Sequence, residues 1–310
     1  MTLPVSGAIS LGDVNVELQR SATATISMND AELRTLFAVP SGAIGLATGY
    51  GKANKFVISI TSNQTNLDLR SWLISQGWNE SSNVEVTINS GVWLSSDSTS
   101  IAGLRVSGSF PNGLKITNNG YIVGMGGAGG AGTAYTGSAG GAGGAGLFTS
   151  VALTMVNNGT IAGGGGGGGA GGAARNGNAD TKPITYAAGG GGGGGRSGLI
   201  NSGGAKAGTS SAPGGSTAGG AFARQYQQYS QYYDTAYAGT GAGGGGWGSS
   251  GGTGTSAYTS SGNVLYYPPN PGYFQGGAYG GGAGGSGGAA VQGNSYITWA
   301  TTGTRYGSLT

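Results

Sequence analysis

The chain contains no cysteine and no histidine, and charged residues make up only 7% of it, against about 25% in an ordinary soluble domain. Without these residues there can be no disulfide, no thiolate nucleophile, no cysteine–histidine zinc site and no histidine general base. No apolar run approaches the roughly 18 residues of a membrane-spanning helix. The N-terminal residues Met1–Ser6 are neither basic nor strongly apolar, so we expect no secretory signal there.

Glycine is abundant instead, at 74 of 310 residues, which is about 24% against a usual share of about 7%. Residues 124–294 hold 60 of these glycines, so the composition changes sharply at Gly124. Charge is uneven too, because residues 1–100 carry five basic and eight acidic side chains and residues 101–310 carry eight basic and two acidic ones. The C-terminal part is therefore mildly basic, which favours approach to an anionic surface that salt would screen.

The first 123 residues have the apolar patterns of a small α+β region. Apolar spacing predicts strands over 9–18, 22–28, 56–60, 83–94 and 104–123, and helices over 31–38 and 69–73. Asn29 and Glu32 form a capping pair for the first helix. The second helix is capped by Asn66 or Asp68 and ends at Gly77.

An internal repeat crosses the change in composition. Residues 114–124 recur as residues 153–163, each copy comprising a short strand, Asn-Asn-Gly and a second short strand that leads into a glycine run. Because Asn and Gly tolerate positive φ, we predict a tight primed turn at each Asn-Asn-Gly. Similar but non-identical copies indicate consecutive rungs of one sheet, and residues 86–91 are a looser relative.

The glycine runs have a period of three. Non-glycine residues fall every third position at 125, 128, 131 and 134, again at 139, 142 and 145, and again at 283, 286 and 289. A polyglycine II helix has three residues per turn and no internal hydrogen bonds, so a G-G-x pattern leaves two bare edges that can bond to neighbouring backbones. The runs available for such a bundle are 124–132, 137–146, 163–172, 189–195, 203–208, 214–220, 241–246 and 276–288.

A flexible low-complexity coil is the alternative to such a bundle, because ordering glycine costs more entropy than ordering any other residue. Collagen is excluded because it needs one glycine in three with abundant proline, and silk-like sheets would show a period of two.

Aromatic residues cluster between the runs, where connecting loops are expected. The candidate receptor-binding residues are Tyr226, Tyr229, Tyr232, Tyr233, Tyr237, Tyr266, Tyr267, Tyr273 and Phe274. Tyrosine offers a large, rigid contact area with a polar tip, which suits recognition. The alternative is that these rings cover the bare faces of the bundle. The stretch Arg175–Tyr186 is a weaker candidate loop.

Catalysis and nucleic-acid binding find little support. A glycan-cleaving site needs paired carboxylates, and after Asp97 only Asp180 and Asp234 remain. Residues 163–169 lack the Lys-Ser/Thr ending of a phosphate-binding loop, and no RNA-binding motif accompanies the arginines. We therefore predict a protein that is not an enzyme, with no cofactor, no metal and no nucleic-acid partner.

Several motifs resemble known proteins of tailed bacteriophages. Residues 6–18, 27–30 and 39–42 are similar to the N-terminal segment of many phage and prophage tail proteins. Residues 106–120, followed by G-G-x runs, and the closing stretch 293–299 resemble glycine-rich phage tail tips. The glycine part also resembles the tail-fibre adhesins of T-even-like phages. That resemblance implies a sandwich of polyglycine helices whose distal loops choose the host receptor, and a place in the virion tail.

Together these observations predict a mainly β or irregular fold in three parts. Residues 1–55 attach to the virion through other tail proteins, residues 56–123 form an α+β transition region, and residues 124–310 form a polyglycine II bundle with receptor-binding loops and a closing strand at Tyr296–Trp299. The expected function is a receptor-binding adhesin whose partner is a bacterial outer-membrane protein or lipopolysaccharide. A purely structural tail component, with the bundle as spacer or cap, is the alternative, and an ice-binding bundle is a third. Tail fibres are often threefold, so a homotrimer stays open.

Overall fold

The computed structural model describes residues 3–132, 136–176, 185–187, 235–237, 239–260 and 279–310. These residues form a mainly β fold with parallel sheets and few helices, as the sequence predicts. The helices are α1 (Leu11–Glu17), α2 (Ala31–Phe37) and α3 (Leu69–Ser75). The strands are β1 (Lys55–Ile60), β2 (Gln64–Thr65), β3 (Leu67–Asp68), β4 (Asn83–Ile88), β5 (Trp93–Ser95), β6 (Leu104–Val106), β7 (Leu114–Asn118), β8 (Tyr121–Val123), β9 (Leu147–Thr149), β10 (Leu153–Asn157), β11 (Thr160–Ala162), β12 (Ala174–Asn176), β13 (Thr185–Ala187), β14 (Thr235–Tyr237), β15 (Tyr258–Ser260), β16 (Val291–Gln292), β17 (Ile297–Thr301) and β18 (Thr304–Tyr306). None of the helices in these ranges is long and apolar enough to cross a membrane.

The N-terminal residues fold around a small core of their own. Its buried side chains are Leu3, Ile9, Val14, Leu33, Leu36 and Phe37. The strand predicted over 9–18 is wrong, because Ser10 and Asp13 form a capping box that begins α1. Val14 and Leu18 lie four positions apart and both face this core, whereas Val16 is exposed, so the apparent alternation is one face of a helix.

Two further N-terminal predictions are corrected by the structure. Residues 22–28 form turns and irregular backbone instead of a strand. The helix predicted over 31–38 is confirmed as α2, but its N-cap is Asp30 and no side chain caps it. Glu32 is not part of a capping pair, because it accepts a hydrogen bond of 2.6 Å from Arg20. An ion pair with a neighbouring loop has taken the place of the local cap.

Residues 55–123 and parts of the later chain form a three-sided parallel β-solenoid. Its first sheet has the order β1-β4-β7-β10-β17, its second has β2-β5-β8-β11-β18, and its third has β3-β6-β9-β16. All three sheets contribute to one buried core, with Ile116 from the first, Ile122 from the second and Leu147 from the third. Each turn of the chain thus adds one strand to each sheet and one apolar layer to the core.

The predicted repeat is confirmed as two successive rungs of the solenoid. β7 and β10 pair in parallel, with Asn118 opposite Asn157, and β8 and β11 pair likewise. The closing strand is confirmed too, because β17 pairs with β10. Helix α3 is confirmed between the first and second rungs, and Asp68 caps it by accepting a hydrogen bond of 3.0 Å from the Ser71 backbone N–H.

The prediction of primed turns at Asn-Asn-Gly is wrong. β7 and β8 belong to different sheets, so the chain turns a corner between sheets and does not form a hairpin. Neither Gly120 nor Gly159 has positive φ. The corner is held by the buried Asn118, which donates a hydrogen bond of 2.7 Å to the side-chain oxygen of Asn157 and accepts one of 3.1 Å from the Gly120 N–H. Asn157 in turn donates to the Thr302 carbonyl at 2.8 Å, so the asparagines link three successive rungs.

Six glycine segments project from the solenoid between its second and third sheets. We number them segment 1 (124–132), segment 2 (136–146), segment 3 (163–173), segment 4 (239–246), segment 5 (249–257) and segment 6 (279–290). Segments 1 and 2 follow β8 and lead to β9, and segment 3 follows β11. Segment 6 leads into β16. Two turns of the solenoid are therefore interrupted by long glycine-rich excursions.

Segment 3 lies at the centre and is surrounded by the other five. Its backbone exchanges hydrogen bonds of 2.7–3.0 Å with segments 1, 2, 4, 5 and 6. Residues 163–173 are all buried. An added Cβ would meet segment 6 at Gly166 and Gly169, at 2.0 and 1.9 Å from a carbonyl oxygen, and would meet segment 1 at Gly164 and Gly167, each at 1.9 Å. Residues three apart therefore face the same neighbour. Glycine is needed at these positions because an added Cβ would meet another backbone, whereas farther out the segment holds the buried Ala170 and Ala173.

The outer segments tolerate side chains on one edge only. Ala128, Ala142, Ala283 and Ser286 are exposed, and each occupies the non-glycine position of a G-G-x repeat. At these four positions the period of three seen in the sequence marks the edge that faces solvent, whereas Ala145, in the same series as Ala142, is buried. Segment 5 was not among the predicted glycine runs, because serine and threonine at its exposed positions dilute its glycine content.

Trp247 fixes the solenoid end of the glycine segments. It lies in the connection between segments 4 and 5 and packs on Val123 and Ala162 of the second sheet. Its ring centroid lies 6.0 Å from that of Trp93 and 5.8 Å from that of Tyr306. Gly248 follows with φ of 62°, and a Cβ there would lie 2.3 Å from the Gly307 nitrogen. The chain therefore reverses its direction between segments 4 and 5, at a turn that packs on the solenoid.

Candidate functional site

The candidate functional site is the end of the glycine segments that lies farthest from the solenoid, which we call the distal end. Segment 3 leaves β11 and runs outward to β12, and segment 4 returns from β14 to the Trp247 turn. Segment 5 runs outward again to β15, and segment 6 returns to β16. The chain stretches between these outward and returning segments therefore begin and end at the distal end.

Four short strands lie together at this end. β12 and β13 pair antiparallel, with Arg175 opposite Tyr186. β14 and β15 also pair antiparallel, with Tyr237 opposite Tyr258. β12 lies against both strands of the second pair. A strand pair of this length is marginal alone, and each of these pairs lies against the other.

The structure places one of the predicted receptor-binding residues at this end. Tyr237 lies in β14, within a strand where a loop was predicted, since the sequence Thr-Ala-Tyr suits extended backbone. The remaining eight predicted residues lie outside the described residues: Tyr226, Tyr229, Tyr232, Tyr233, Tyr266, Tyr267, Tyr273 and Phe274. Sequence reasoning missed Tyr258, although it stands in the chain shortly before the second aromatic cluster.

The glycine segments carry no charged side chain. Segments 1 to 6 contain no Asp, Glu, Lys or Arg. No group of His, Cys, Asp or Glu among the described residues could hold a metal ion. Charged residues return beyond the outer ends of the segments, beginning with Arg175 in β12. Apart from Met125 and Tyr279, which are half-buried, the described segments therefore present only small neutral side chains to solvent.

Charged groups in the described residues lie mainly on the solenoid and the N-terminal part. An open depression of about 440 Å³ on the first sheet is lined in part by Lys55, Glu85 and Lys115, and the first two form an ion pair of 2.7 Å. In α1, hydrogen bonds from the Ser10 backbone N–H and hydroxyl hold the pKa of Asp13 below its ordinary value of 3.8. Both features lie on the solenoid or the N-terminal part, outside segments 1 to 6.

Exposed apolar side chains mark a second candidate surface on the N-terminal part. Val5 is 79% exposed and Tyr50 is 41% exposed. A Cβ added at Gly51 would lie 3.6 Å from the Val5 side chain, so the two exposed residues are neighbours. Glu17 connects this part to the solenoid by accepting a hydrogen bond of 2.8 Å from the Asn54 N–H, just before β1.

Comparison with known proteins gives three findings. The model of the family described as phage tail fibre adhesin Gp38 matches residues 55–310. No curated protein matches the chain. The chain is similar, at 20% identity and a TM-score of 0.46, to the solved structure titled "Crystal structure of the gp37-gp38 adhesin tip complex of the bacteriophage S16 long tail fiber", covering 99% of this chain and 100% of that one.

Proposed function

The chain belongs to the family of phage tail fibre adhesins of the Gp38 type, and from that premise we propose that it grips its receptor with the distal end of the glycine segments. Membership makes it a receptor-binding adhesin of the virion tail. The location of this receptor-binding site is inferred from the path of the chain. Three of the outward segments lead into stretches that start and finish at the distal end, and two of those stretches hold the aromatic clusters of the sequence.

We also propose that the glycine segments are polyglycine II helices. Support comes from the threefold spacing of their lateral hydrogen bonds, in which the N–H groups of Gly164 and Gly167 reach segment 2 and those of Gly166 and Gly169 reach segment 5. A helix with three residues per turn produces this spacing, whereas a β-strand alternates between two sides. Such a bundle would hold the distal end rigidly, and rigid presentation lowers the entropy lost on binding.

The recognition chemistry that we propose is aromatic contact without catalysis. Its residues are the nine candidates from the sequence: Tyr226, Tyr229, Tyr232, Tyr233, Tyr237, Tyr266, Tyr267, Tyr273 and Phe274. Tyrosine buries a large area at low side-chain entropy cost and retains a hydroxyl for hydrogen bonding. A bacterial outer-membrane protein and lipopolysaccharide both fit this chemistry, and the experiment below separates them.

The test uses purified full-length protein and cells of the host. Tyr229→Ser together with Tyr267→Ser should lower cell binding at least tenfold, because truncating a central aromatic contact typically costs 2 kcal/mol or more. The matched control is Tyr296→Ser, since Tyr296 is 48% exposed on the solenoid and away from the distal end. Equal binding by both variants would refute the proposed location and would favour a purely structural glycine bundle.

The same assay on altered hosts identifies the receptor class. Binding that survives truncation of lipopolysaccharide but is lost with one outer-membrane protein assigns a protein receptor, and the reverse assigns lipopolysaccharide. Exchange of residues 221–238 and 263–275 between two related phages should move host range with the exchanged residues. An unchanged host range would overturn the adhesive role of these stretches.

We propose that residues 1–55 attach the protein to another tail protein. The family match begins at residue 55, and the residues before it have a separate core and an exposed apolar pair, Val5 and Tyr50. Val5→Asp should reduce incorporation of the protein into virions. Val57→Asp is the control, because Val57 is 66% exposed but lies on the solenoid. Equal loss of incorporation in the two variants would contradict the proposal.

A further inference from the structure

The open depression on the first sheet of the solenoid crosses all five strands near the residues where they begin. Each strand contributes to its lining, with Lys55 from β1, Glu85 from β4, Lys115 from β7, Thr154 from β10 and Thr298 from β17. Neighbouring strands lie about 4.8 Å apart, so the four steps between five strands cover about 19 Å. Its volume of about 440 Å³ lies within the usual range of ligand pockets, about 300–1,000 Å³. The depression can therefore hold a chain of several units and not only a single ion.

Small residues leave room for this depression. Gly113 and Ala152 precede β7 and β10, and both line it. A Cβ added at Gly113 would lie 3.1 Å from the side-chain nitrogen of Asn83, so any larger residue there would narrow the space. The next residues in the chain, Leu114 and Leu153, are buried in the core. Because side chains alternate along a strand, the residues that follow these leucines face outward into the depression.

The charges in the depression do not cancel. The Lys55 Nζ lies 2.7 Å from the Glu85 Oε1. Glu85 is also opposite Lys115 in the register of β4 and β7, but its carboxylate pairs with Lys55. Among the described residues, the exposed Lys115 has no ion pair. One positive charge is therefore available to a ligand.

Two hydroxyl groups continue the row that Lys115 begins. Thr154 lies opposite Lys115, and Thr298 lies opposite Thr154 on the next strand. The three side chains thus follow one another over about 10 Å across adjacent strands. Within the described part of the chain, none of their side-chain polar groups has a hydrogen-bond partner. The row consists of one cation and two neutral hydroxyls, all accessible from one side of the sheet.

This row matches an acidic saccharide better than other anionic polymers. A nucleic acid carries a charge on every nucleotide, and a single unpaired cation would leave most of those charges unmatched. An extended peptide binds the free edge of a sheet, whereas this depression lies on the face of a sheet whose inner strands are paired on both sides. A saccharide presents many hydroxyls and an occasional carboxylate or phosphate, which is the mixture that the row can bind.

We propose that the depression is a second binding site of this adhesin and that it takes a segment of an acidic saccharide. The carboxylate or phosphate of the saccharide accepts a hydrogen bond from Lys115, and sugar hydroxyls bond to Thr154 and Thr298. The site lies on the solenoid and is separate from the distal end. Two sites on one body raise the overall avidity for a surface even when each site is weak.

An NMR titration of the full ¹⁵N-labelled chain tests the proposal without host cells, so its result is independent of the site at the distal end. The probe is trigalacturonic acid, and the control is its methyl ester, which has the same sugar rings without charge. The acid should shift the amide signals of Lys115, Thr154 and Thr298, and the ester should bind about three- to tenfold more weakly, because it lacks the charge-assisted hydrogen bond. Equal binding of acid and ester overturns the proposal, and so do shifts confined to β12–β15.

Variants locate the site. Lys115→Gln should weaken binding of the acid about three- to tenfold, and Ala152→Glu should abolish it, because Ala152 is exposed and the new carboxylate repels the ligand. The matched control is Arg105→Gln, which removes one positive charge from the third sheet, where the Arg105 side chain is 57% exposed. Equal weakening by Lys115→Gln and Arg105→Gln would show unspecific attraction between charges and would overturn the proposal.

A second pair of probes identifies the source of the acidic group. Core oligosaccharide released from lipopolysaccharide carries phosphate, and the same oligosaccharide treated with phosphatase is its control. Binding that is lost on treatment supports the site with a phosphate ligand, and binding of trigalacturonic acid alone supports it with a uronic acid. Binding that is unchanged by phosphatase overturns the requirement for charge. Tighter binding of hexaglutamate than of either saccharide also overturns the proposal, because the ligand is then an acidic peptide.

Discussion

A single methyl group added to the central glycine segment should destabilise the protein far more than one added at an exposed glycine of an outer segment. In Gly167→Ala the new Cβ would lie 1.9 Å from the Ala128 carbonyl oxygen and 2.5 Å from its carbon. An ordinary contact needs about 3.5 Å, so segments 1 and 3 must separate by roughly 1.5 Å. Hydrogen bonds between them are now 2.8 Å, from Gly127 to Gly165 and from Gly130 to Gly168, and they would not survive that separation.

The expected loss follows from these two effects. Overpacking costs about 1–3 kcal/mol, and each lost hydrogen bond costs about 1 kcal/mol. We therefore expect Gly167→Ala to lower the free energy of unfolding by about 3–5 kcal/mol. Gly169→Ala should behave alike, because its Cβ would lie 1.9 Å from the Gly282 oxygen on a different neighbour.

The matched control is Gly280→Ala. Gly280 is exposed, and a Cβ there would meet nothing within 4 Å. Its replacement restricts only the unfolded chain, which favours folding by about 0.4–1 kcal/mol. Urea unfolding followed by circular dichroism measures all three variants. If Gly167→Ala is as stable as the parent protein, the close lateral contact of these backbones is not what holds the segments together.

Three further outcomes are expected elsewhere in the chain. Asn157→Ala should cost about 1–3 kcal/mol in urea unfolding, because it leaves the buried Asn118 amide without its 2.7 Å acceptor; an unchanged midpoint would contradict the buried ladder. Trp247→Ala should speed amide exchange in segments 4 and 5 while the solenoid core stays protected, and uniform protection would refute its anchoring role. Ser10→Ala should raise the pKa of Asp13 toward its ordinary value, as measured by carboxyl ¹³C titration. Since the folded pKa lies below the unfolded one, this pair contributes stability above pH 4 that is lost on acidification. The variant should lose only the part that comes from the Ser10 hydroxyl, because the Ser10 backbone N–H, the larger cause, is kept.

Local patterns predicted the repeated strands of the solenoid better than they predicted the N-terminal part. Residues 114–118 and 153–157 are aligned by their own similarity, and a parallel stack requires just that in-register alignment. In contrast, Val14, Val16 and Leu18 fit both an alternating strand and one face of a helix over so few residues. The capping box at Ser10 favours the helix, and it can be recognised in the sequence as Ser followed by Asp three positions later.

The corner at Asn118 could not be predicted from turn chemistry. Asn-Asn-Gly is typical of hairpin turns, and only the tertiary stack shows that the next strand joins another sheet. The asparagine is buried because a second asparagine lies one rung above it. A side-chain ladder of this kind depends on contacts 39 residues apart, so no local rule reveals it.

The residue type of the candidate site, tyrosine, could be predicted from the sequence, but the position of the site in the fold could not. Aromatic enrichment in the sequence pointed to Tyr237. The pairing of Tyr237 with Tyr258 could not be predicted, because it requires that β14, before segment 4, and β15, after segment 5, lie at the same end. Unbroken glycine in 163–169 is a stronger signal than the G-G-x period, since a missing exposed edge means neighbours on all sides. The unbroken run 163–169 meets backbones of several other segments, whereas Ala128, Ala142, Ala283 and Ser286 of the outer segments face solvent. Substitutions at those solvent-facing positions should therefore leave the contacts between the segments intact.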